Sequence, residues 1–401
     1  MKRITAKYIY TLDSDEPIIN GFIDYNTDGT IINIGNSSDA GNSSNIDNEA
    51  IYYDGAIIPG MVNTHCHIEL SHLEGAFKKY TGMAGFIDQI NELRDSKTRE
   101  EKIIALKKWI DKLWKDGVSA MGDISNGSDS FKAKSESPMY FRTFLEVFGS
   151  EAKDCDSVME MILALKKEAD ALGIDAAPTP HSCYTTSPEL LTASATEGLK
   201  SGYISYHSQE SQEEEDMILS GTGALADNRR RYNMSMPPVT GSSSLKYFLK
   251  RLSVTHPGSI SSKVLLVHNV CLSQSDIDET KKVLDKVYWA ICPISNIFIH
   301  NSLPPVELMR KNDLKVTIGT DSLSSNDDLD MVKEMYCLQS NFKDLSLNEM
   351  LTWACRNGAE FLDKLENLGT LTIGKKPGLV FIDNLDETGR LTERSRSNRI
   401  I

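Results

Sequence analysis

Pro59-Gly60-Met61-Val62-Asn63-Thr64-His65-Cys66-His67 is the stretch on which the interpretation of the whole chain depends. Its apolar beginning predicts a strand, placed at Ala56–Asn63, and two histidines follow that strand directly. Residues two apart on an extended chain point to the same side. We therefore expect His65 and His67 to lie side by side at the carboxyl end of a strand.

Seven further apolar segments follow, separated by amphipathic helical patterns such as Glu101–Lys115 and Asp156–Leu172. These segments predict strands at Ser119–Asp123, Phe141–Phe148, Ile174–Pro180, Tyr203–His207, Val264–His268, Val287–Pro293 and Val316–Thr320. Eight strands with helices between them predict an α/β fold, a (β/α)8 TIM barrel over residues 56–365. The chain contains no Gly-x-Gly-x-x-Gly motif and no Walker-type loop, which argues against nucleotide-cofactor folds.

Both ends of the chain have strand character. The amino-terminal strands are predicted at Ile4–Thr11, Gly21–Tyr25 and Ile31–Gly35. Asp28-Gly29 predicts a hairpin turn between the last two, and residues 36–49 predict a polar surface loop. Gly369–Asp383 repeats the strand-and-turn pattern near the other end. We expect residues 1–55 and 366–401 to form one small β-sandwich module.

Composition limits the classes of partner. The 401 residues are 40% hydrophobic and 25% charged, with a formal net charge of −14, which disfavours binding to nucleic acid or an anionic membrane. No run of eighteen apolar residues is present, and Met1–Tyr10 lacks the apolar core of a signal peptide. Seven cysteines without Cys-x-x-Cys spacing suit free thiols, so we expect a cytoplasmic protein. Arg229–Arg231 is interpreted as a solvated loop rather than a phosphate contact.

Metal-capable side chains follow the predicted strands, at the barrel face where active sites are built. They are His65, His67, His181, His207, His268 and Asp321. Five of the eight histidines in the chain thus fall at one rim, which coincidence explains poorly. Imidazoles with one carboxylate suit Zn²⁺, with Fe²⁺ or Mn²⁺ as alternatives.

We assign one divalent metal per chain to His65, His67, His207 and Asp321, completed by a water whose pKa it would lower toward about 7. Glu210 lies three residues beyond His207, where a carboxylate could move a proton from that water to substrate. His268 is expected either to stabilise the attacking water or to be a further ligand. The adjacent Glu213, Glu214 and Glu215 are interpreted as a solvated helix start.

Four motifs resemble the amidohydrolase superfamily. They are Pro59-Gly60-Met61-Val62-Asn63-Thr64-His65-Cys66-His67, His207-Ser208-Gln209-Glu210, Cys292-Pro293-Ile294-Ser295-Asn296 and Gly319-Thr320-Asp321-Ser322. They are similar to the branch that contains adenosine-type, S-adenosylhomocysteine, guanine and aminofutalosine deaminases and triazine chlorohydrolases. The resemblance implies the same four ligands, Glu210 as the proton shuttle and His268 beside the metal water. It also implies a single metal, because Ala177–His181 lacks the lysine that bridges two ions in other members.

Four residues are candidates for substrate contact. His181 matches a substrate-contacting position in that branch, and Glu69 lies in a His-x-Glu-x-Ser stretch similar to aminofutalosine deaminases. A structural hydrogen bond is the equally weighted alternative for Glu69. Arg142 and Glu146 share one face of a predicted strand, with a satisfied ion pair or core polar group as the favoured alternative.

The expected activity is a metal-dependent aminohydrolase that releases ammonia from a purine-like base or nucleoside, of the adenosine, S-adenosylhomocysteine or aminofutalosine class. Alternatives are a chlorohydrolase-type reaction on the same metal centre, or a guanine or pterin deaminase. A cytidine-type deaminase is excluded, because its Pro-Cys-x-x-Cys is absent. A non-catalytic scaffold would require a missing ligand or a missing Glu210. The resemblance also implies a homodimer.

Overall fold

A computed structural model describes residues 1–39 and 50–401 of the chain. Residues 40–49, most of the predicted polar loop, lie outside the described residues. The strands are β1 (Lys2–Ile9), β2 (Ile18–Tyr25), β3 (Ile31–Asn36), β4 (Ile51–Pro59), β5 (Met61–Cys66), β6 (Val118–Ser125), β7 (Tyr140–Val147), β8 (Asp175–Pro180), β9 (Tyr203–Ser208), β10 (Ile260–His268), β11 (Leu284–Ile291), β12 (Val316–Ile318), β13 (Leu379–Ile382) and β14 (Ser397–Arg399).

Helices separate most of the strands from β5 onward. They are α1 (Gly82–Leu93), α2 (Arg99–Lys115), α3 (Phe131–Glu136), α4 (Cys155–Ala171), α5 (Pro188–Lys200), α6 (Gln212–Ser220), α7 (Ala224–Arg231), α8 (Ser244–Thr255), α9 (Gln274–Val283), α10 (Pro293–His300), α11 (Val306–Lys311), α12 (Met331–Asn341), α13 (Leu347–Leu351) and α14 (Asn357–Phe361). Within the described part of the chain, no helix combines the length and apolar character that crossing a membrane requires.

Local sequence explains where these helices begin. In α2 the Thr98 side chain accepts the Glu101 backbone N–H, and the Glu101 carboxylate accepts the Thr98 N–H in return. Ser273 and Asp276 form the same reciprocal arrangement at the start of α9. Each pair satisfies donors that the first helical turn leaves free, so these boundaries are set by short-range chemistry.

One six-stranded sheet combines both ends of the chain, in the order β14-β13-β4-β1-β2-β3. The predicted hairpin at Asp28-Gly29 is confirmed, since β2 and β3 pair antiparallel around it. A sheet built from both ends therefore agrees with the prediction, while its folding into a sandwich stays a prediction. Gly60 joins this sheet to the next strand, and a Cβ there would lie 1.9 Å from the Ser119 hydroxyl oxygen. Only glycine allows the chain to pass at that point.

The remaining strands form two parallel four-stranded sheets, β5-β6-β7-β8 and β12-β11-β10-β9. Their outer edges also contact each other. The His207 N–H donates to the His181 carbonyl oxygen at 2.9 Å, and Cys66 pairs with Asp321 in a parallel bridge. All eight strands run in chain order with helices between them, as an α/β fold requires. Their carboxyl ends consequently meet at one edge.

Two sequence expectations need correction. The predicted strand Ala56–Asn63 is divided in the structure: Ala56–Pro59 belongs to β4 of the six-stranded sheet, and β5 begins at Met61. The break falls at Pro59-Gly60, a dipeptide typical of turns, but the buried apolar residues on both sides give the pattern of a single strand. Arg229–Arg231 is the last turn of α7 rather than a loop, and buried Arg229 donates to the Tyr184 and Ser235 carbonyl oxygens.

Candidate active site

The six predicted metal-capable residues all lie at the carboxyl ends of the parallel strands. His65 is within β5, His207 is within β9 and His268 ends β10. His67 follows β5, His181 follows β8 and Asp321 comes three residues after β12. The strand order brings these segments together, although up to 256 positions separate them in the chain.

Ring nitrogens and one carboxylate oxygen converge on a small volume. Asp321 Oδ1 lies 3.7 Å from His65 Nε2 and 3.6 Å from His67 Nε2, and His67 Nε2 lies 3.4 Å from His207 Nε2. Ligand atoms of three overlapping trios lie within 4.8 Å of one another; these are His65–His67–Asp321, His65–His207–His268 and His67–Glu146–His207. Such separations match the spacing of donors around a single ion.

The donor set fits a divalent metal. Both ring nitrogens of His65 are buried and have no hydrogen-bond partner among the described residues, which an enclosed imidazole rarely tolerates. Burial first, and the neighbouring histidines second, hold the pKa of His65 well below its usual value. Burial likewise lowers the pKa of His207. Neutral imidazoles with free lone pairs are the form that binds a metal.

Asp321 is held by neighbours on three sides. Its backbone N–H donates to the His65 carbonyl oxygen at 3.0 Å, while the Ser295 and Ser325 hydroxyls donate to its Oδ2 at 2.6 and 2.7 Å. Burial acts to raise the pKa of Asp321, but His67 and the other neighbours outweigh it and keep the pKa below its usual value. The carboxylate is therefore ionised, with Oδ1 free to face the histidines.

Glu210 and His268 form a second pair beside the donor cluster. Glu210 Oε1 lies 3.6 Å from His268 Nε2, and both side chains are buried. Asn296 Nδ2 donates to His268 Nδ1 at 3.1 Å, which leaves the proton of the neutral ring on Nε2, facing Glu210. Burial raises the pKa of Glu210 well above its usual value, with Asp321 adding to the effect. A protonated Glu210 can donate a proton to substrate.

Ser295 and Asn296 belong to the Cys292–Asn296 motif at the start of α10, and each orients one reactive side chain. Neither role is identifiable from composition or spacing, because serine and asparagine are common at helix starts for local reasons. In the sequence, only the resemblance of the Cys292–Asn296 motif to the amidohydrolase superfamily points to these two residues.

Glu146 lines the cavity and lies against two of the histidines. Its Oε1 is buried without a hydrogen-bond partner, 3.6 Å from His207 Nδ1 and 3.8 Å from His181 Nε2. Its Oε2 accepts from Asn126 Nδ2 at 2.9 Å. His207 thus presents Nε2 to the donor cluster and Nδ1 to a carboxylate, an arrangement that orients metal-binding histidines in other proteins.

The structure separates two predicted substrate contacts from the cavity. Arg142 Nη1 pairs with Asp175 Oδ1 at 2.5 Å near the amino-terminal end of β7, as the ion-pair alternative expects. Arg142 is not among the residues that line the described cavity, and its contact with substrate stays a prediction. Glu69 accepts the Asn126 backbone N–H at 3.0 Å and does not line the cavity. The structural alternative therefore describes Glu69 as well.

Glu214 also differs from its expected solvated position. Its side chain is fully buried, and Oε2 accepts the Glu210 backbone N–H at 2.8 Å. Burial raises the pKa of Glu214 to about 7. A segment of high charge at a helix start is usually exposed, but α6 turns this carboxylate toward the protein interior and so supports the Glu210 backbone.

The backbone at the site adopts an uncommon conformation. Gln209, His268, Asn269 and Asp321 all have positive φ, from 49° to 75°. For residues other than glycine, this left-handed region costs roughly 1–2 kcal/mol of conformational energy per residue. Two of the four carry predicted reactive groups, so the turn after each strand aims those groups at the expense of local strain.

A cavity of about 300 Å³ opens onto these residues. His67, His181, His207, Glu210, His268 and Asp321 line its inner end. Residues 68–100 and 208–245 supply much of the remaining wall, chiefly through α1 and through the end of α7 with the residues that follow it. A cavity with convergent acids, bases and metal-capable groups is the usual form of an enzyme site.

Known proteins resemble this chain along most of its length. A 5′-deoxyadenosine deaminase from Methanobrevibacter smithii is 28% identical over 358 residues, covering 85% of this chain and 75% of the relative. A 5-methylthioadenosine/S-adenosylhomocysteine deaminase from Bacillus cereus is 25% identical over 398 residues, covering 95% and 84%.

Solved structures show the same fold. A Helicobacter pylori aminofutalosine deaminase in complex with methylthio-coformycin has a TM-score of 0.80 at 20% identity, with both chains fully covered. An adenosine deaminase from Xanthomonas campestris with bound zinc has a TM-score of 0.73 at 19% identity, covering 95% of this chain and 84% of its own. The model of the amidohydrolase family matches residues 56–401. This chain therefore belongs to the amidohydrolase family.

Proposed function

We propose that this protein is a zinc-dependent hydrolase that removes the 6-amino group of an adenosine-like nucleoside as ammonia. The observation that carries the proposal is the buried Glu210–His268 pair beside the His65–His67–His207–Asp321 cluster. Both members of the pair line one cavity, as do all of the cluster except the fully buried His65. Relatives along most of the chain are named as deaminases of 5′-deoxyadenosine and of 5-methylthioadenosine/S-adenosylhomocysteine. Those substrates share the 6-aminopurine and differ at the 5′ position.

His65, His67, His207 and Asp321 would hold the metal. When bound, a divalent metal supplies Lewis acidity that makes a water nucleophilic near neutral pH. The bound zinc in the similar adenosine deaminase supports zinc over iron or manganese. The hydrogen bonds from Ser295 and Ser325 keep one Asp321 oxygen occupied and leave the other for the metal.

Glu210 moves the protons of the reaction. With its pKa raised by burial, its carboxyl is protonated and can donate to the ring nitrogen next to the amino-bearing carbon as water adds to that carbon. Glu210 then takes one proton from the water and delivers it to the amino group, which leaves as ammonia. As the C–N bond breaks, the added oxygen becomes the ring carbonyl and returns its remaining proton to Glu210. His268, with its proton on Nε2, stabilises the attacking water oxygen by donating a hydrogen bond to it.

The experiment is ammonia release by zinc-loaded protein from 5′-deoxyadenosine, methylthioadenosine, S-adenosylhomocysteine and adenosine. Guanine and a chlorinated triazine, with chloride detection, test the alternatives. Glu210→Gln should lower kcat by about 10²–10⁴-fold, since the carboxyl proton is lost while shape is kept. Glu100→Gln, at an exposed position of α2, is the matched control. Chloride release without ammonia release would refute the deaminase assignment.

The proposal includes the architecture. We propose that the two four-stranded sheets close into one barrel over residues 56–365, supported by the His207–His181 hydrogen bond and the Cys66–Asp321 bridge. Residues 1–55 and 366–401 would form the attached module, supported by the shared six-stranded sheet, whose strand β4 continues to Pro59. Cytoplasmic location and a homodimer stay predictions.

A further inference from the structure

Helix α1 forms one wall of the cavity with a single stripe of side chains. The stripe begins with Met83, Phe86, Ile87 and Ile90, whose spacing of three and four places them on one helix face. Arg94, directly after the helix, continues this face one turn further on. The wall is therefore apolar for two turns, polar at Asn91 and cationic at its end.

The two ends of the stripe differ in their distance from the reactive groups. At the beginning of α1, Glu213 accepts the Met83 and Ala84 backbone N–H groups at 3.1 and 2.9 Å, and Glu213 lies only three residues beyond Glu210. Arg94 reaches His207 only through Asn126 and Glu146 in turn. The apolar end thus adjoins the proton-transfer group, and the cation lies outside the ring of metal-capable residues.

The Arg94 guanidinium is only partly satisfied within the described chain. Nη2 donates to Asn126 Oδ1 at 2.9 Å, and the nearest carboxylate oxygen, Glu69 Oε1, is 3.8 Å away. Nε and Nη1 have no hydrogen-bond partner among the described residues, and 34% of the side chain is exposed. No other lysine or arginine lines the described cavity wall. A guanidinium with free donors in a cavity is suited to a carboxylate.

We propose that Arg94 determines the substrate class: an adenosine-like nucleoside whose 5′ substituent is apolar near the ribose and ends in a carboxylate that pairs with Arg94. The inference rests on the proposed function, which places the amino-bearing carbon at the metal cluster and so directs the 5′ substituent away from it. Phe148 adds an exposed apolar ring 6.0 Å from the Arg94 guanidinium carbon, on the side where the substituent would lie. A neutral apolar substituent would leave the Nε and Nη1 donors of Arg94 without an acceptor, since Asn126 and Glu69 both face Nη2.

The test uses two probes of equal size on the zinc-loaded enzyme: 5′-S-(3-carboxypropyl)-5′-thioadenosine and its carboxamide. In wild type, kcat/KM for the acid should exceed that for the amide by about 10- to 100-fold, as expected for a charge-assisted hydrogen bond. The ratio should fall with added salt, because the pair is partly exposed. Arg94→Met should bring the ratio to about 1, and Arg94→Lys should keep part of the preference.

Two results would overturn the inference while leaving the proposed function intact: a wild-type ratio near 1, or an unchanged ratio in Arg94→Met, with both probes deaminated. The wild-type ratio and its salt dependence decide the question even if Arg94→Met does not fold. If neither probe nor 5′-deoxyadenosine is deaminated, the proposed function fails and this inference fails with it.

Discussion

Glu214→Gln should change the pH dependence of stability in a defined direction. Glu214 is buried, and its pKa is raised from an ordinary value of 4.5 to about 7, chiefly by burial and next by Glu215. Below pH 4.5 the carboxyl is protonated in both the folded and unfolded states, so its contribution is fully present. As the pH rises toward 7, the unfolded state loses its proton first, and folding stability decreases. Above pH 7 the contribution is lost.

The magnitude follows from the two pKa values. A difference of about 2.5 between the two pKa values corresponds to about 3 kcal/mol of unfolding free energy. The wild-type protein loses this amount as the pH rises from 4.5 to 7. Glutamine keeps an oxygen that can accept the Glu210 N–H but does not titrate. Relative to wild type, Glu214→Gln should therefore gain about 2–3 kcal/mol over this range.

Urea denaturation at pH 5, 6, 7 and 7.5 measures this change. A chelator should be present, so that metal binding does not add its own pH dependence. Glu100→Gln, an exposed glutamate, should show no comparable change relative to wild type. A constant difference between Glu214→Gln and wild type across the range would refute the argument that burial of Glu214 controls its ionisation.

Three other substitutions test separate features. Glu146→Gln should weaken zinc binding about 10- to 100-fold, measured by competition with a chromophoric chelator, because the carboxylate orients a metal-binding histidine; unchanged affinity would contradict that role. Gly319→Ala should cost about 1–3 kcal/mol in urea denaturation, because its Cβ would lie within 3 Å of two atoms of a metal-site histidine. Gly127→Ala, with open space around the Cβ, is the control, and equal losses would contradict the packing argument. Lys134→Met should cost about 3–5 kcal/mol by leaving buried Asp123 unpaired, with part recovered in the Asp123→Asn, Lys134→Met double variant; no recovery would show that packing, not charge, causes the loss.

The metal cluster could be predicted from the sequence because its physical basis is local. Each histidine directly ends or follows an apolar strand, and parallel strands in chain order bring those ends to one edge. The His65-x-His67 spacing also predicts a shared side, and the two rings lie 5.0 Å apart. No long-range information is needed for either inference.

The distance of a strand residue from the cavity could not be predicted in the same way. Arg142 and Glu146 share a strand face, as their spacing indicates, but four residues separate them by about 13 Å. That distance places the carboxylate beside His207 at the cavity and the guanidinium beside Asp175 at the opposite end of the strand. Alternation identifies a face, whereas the position of each residue relative to the cavity depends on where the strand begins.

The burial of individual polar residues could not be predicted from local sequence patterns either. Ser295 and Glu214 both lie in the first turn of a helix, where hydroxyls and carboxylates are ordinary. Their contacts with Asp321 and with the Glu210 backbone come from how α10 and α6 pack against the strand ends. Such contacts follow from tertiary structure alone.

The left-handed turns at His268 and Asp321 have a consequence for laboratory evolution. Glycine at either position would relieve the backbone and, at the same time, remove a side chain from the reaction. A selection that rewards only thermal resistance would therefore favour inactive variants at these two codons. Libraries screened for heat tolerance should hold both codons fixed, or require turnover at every round.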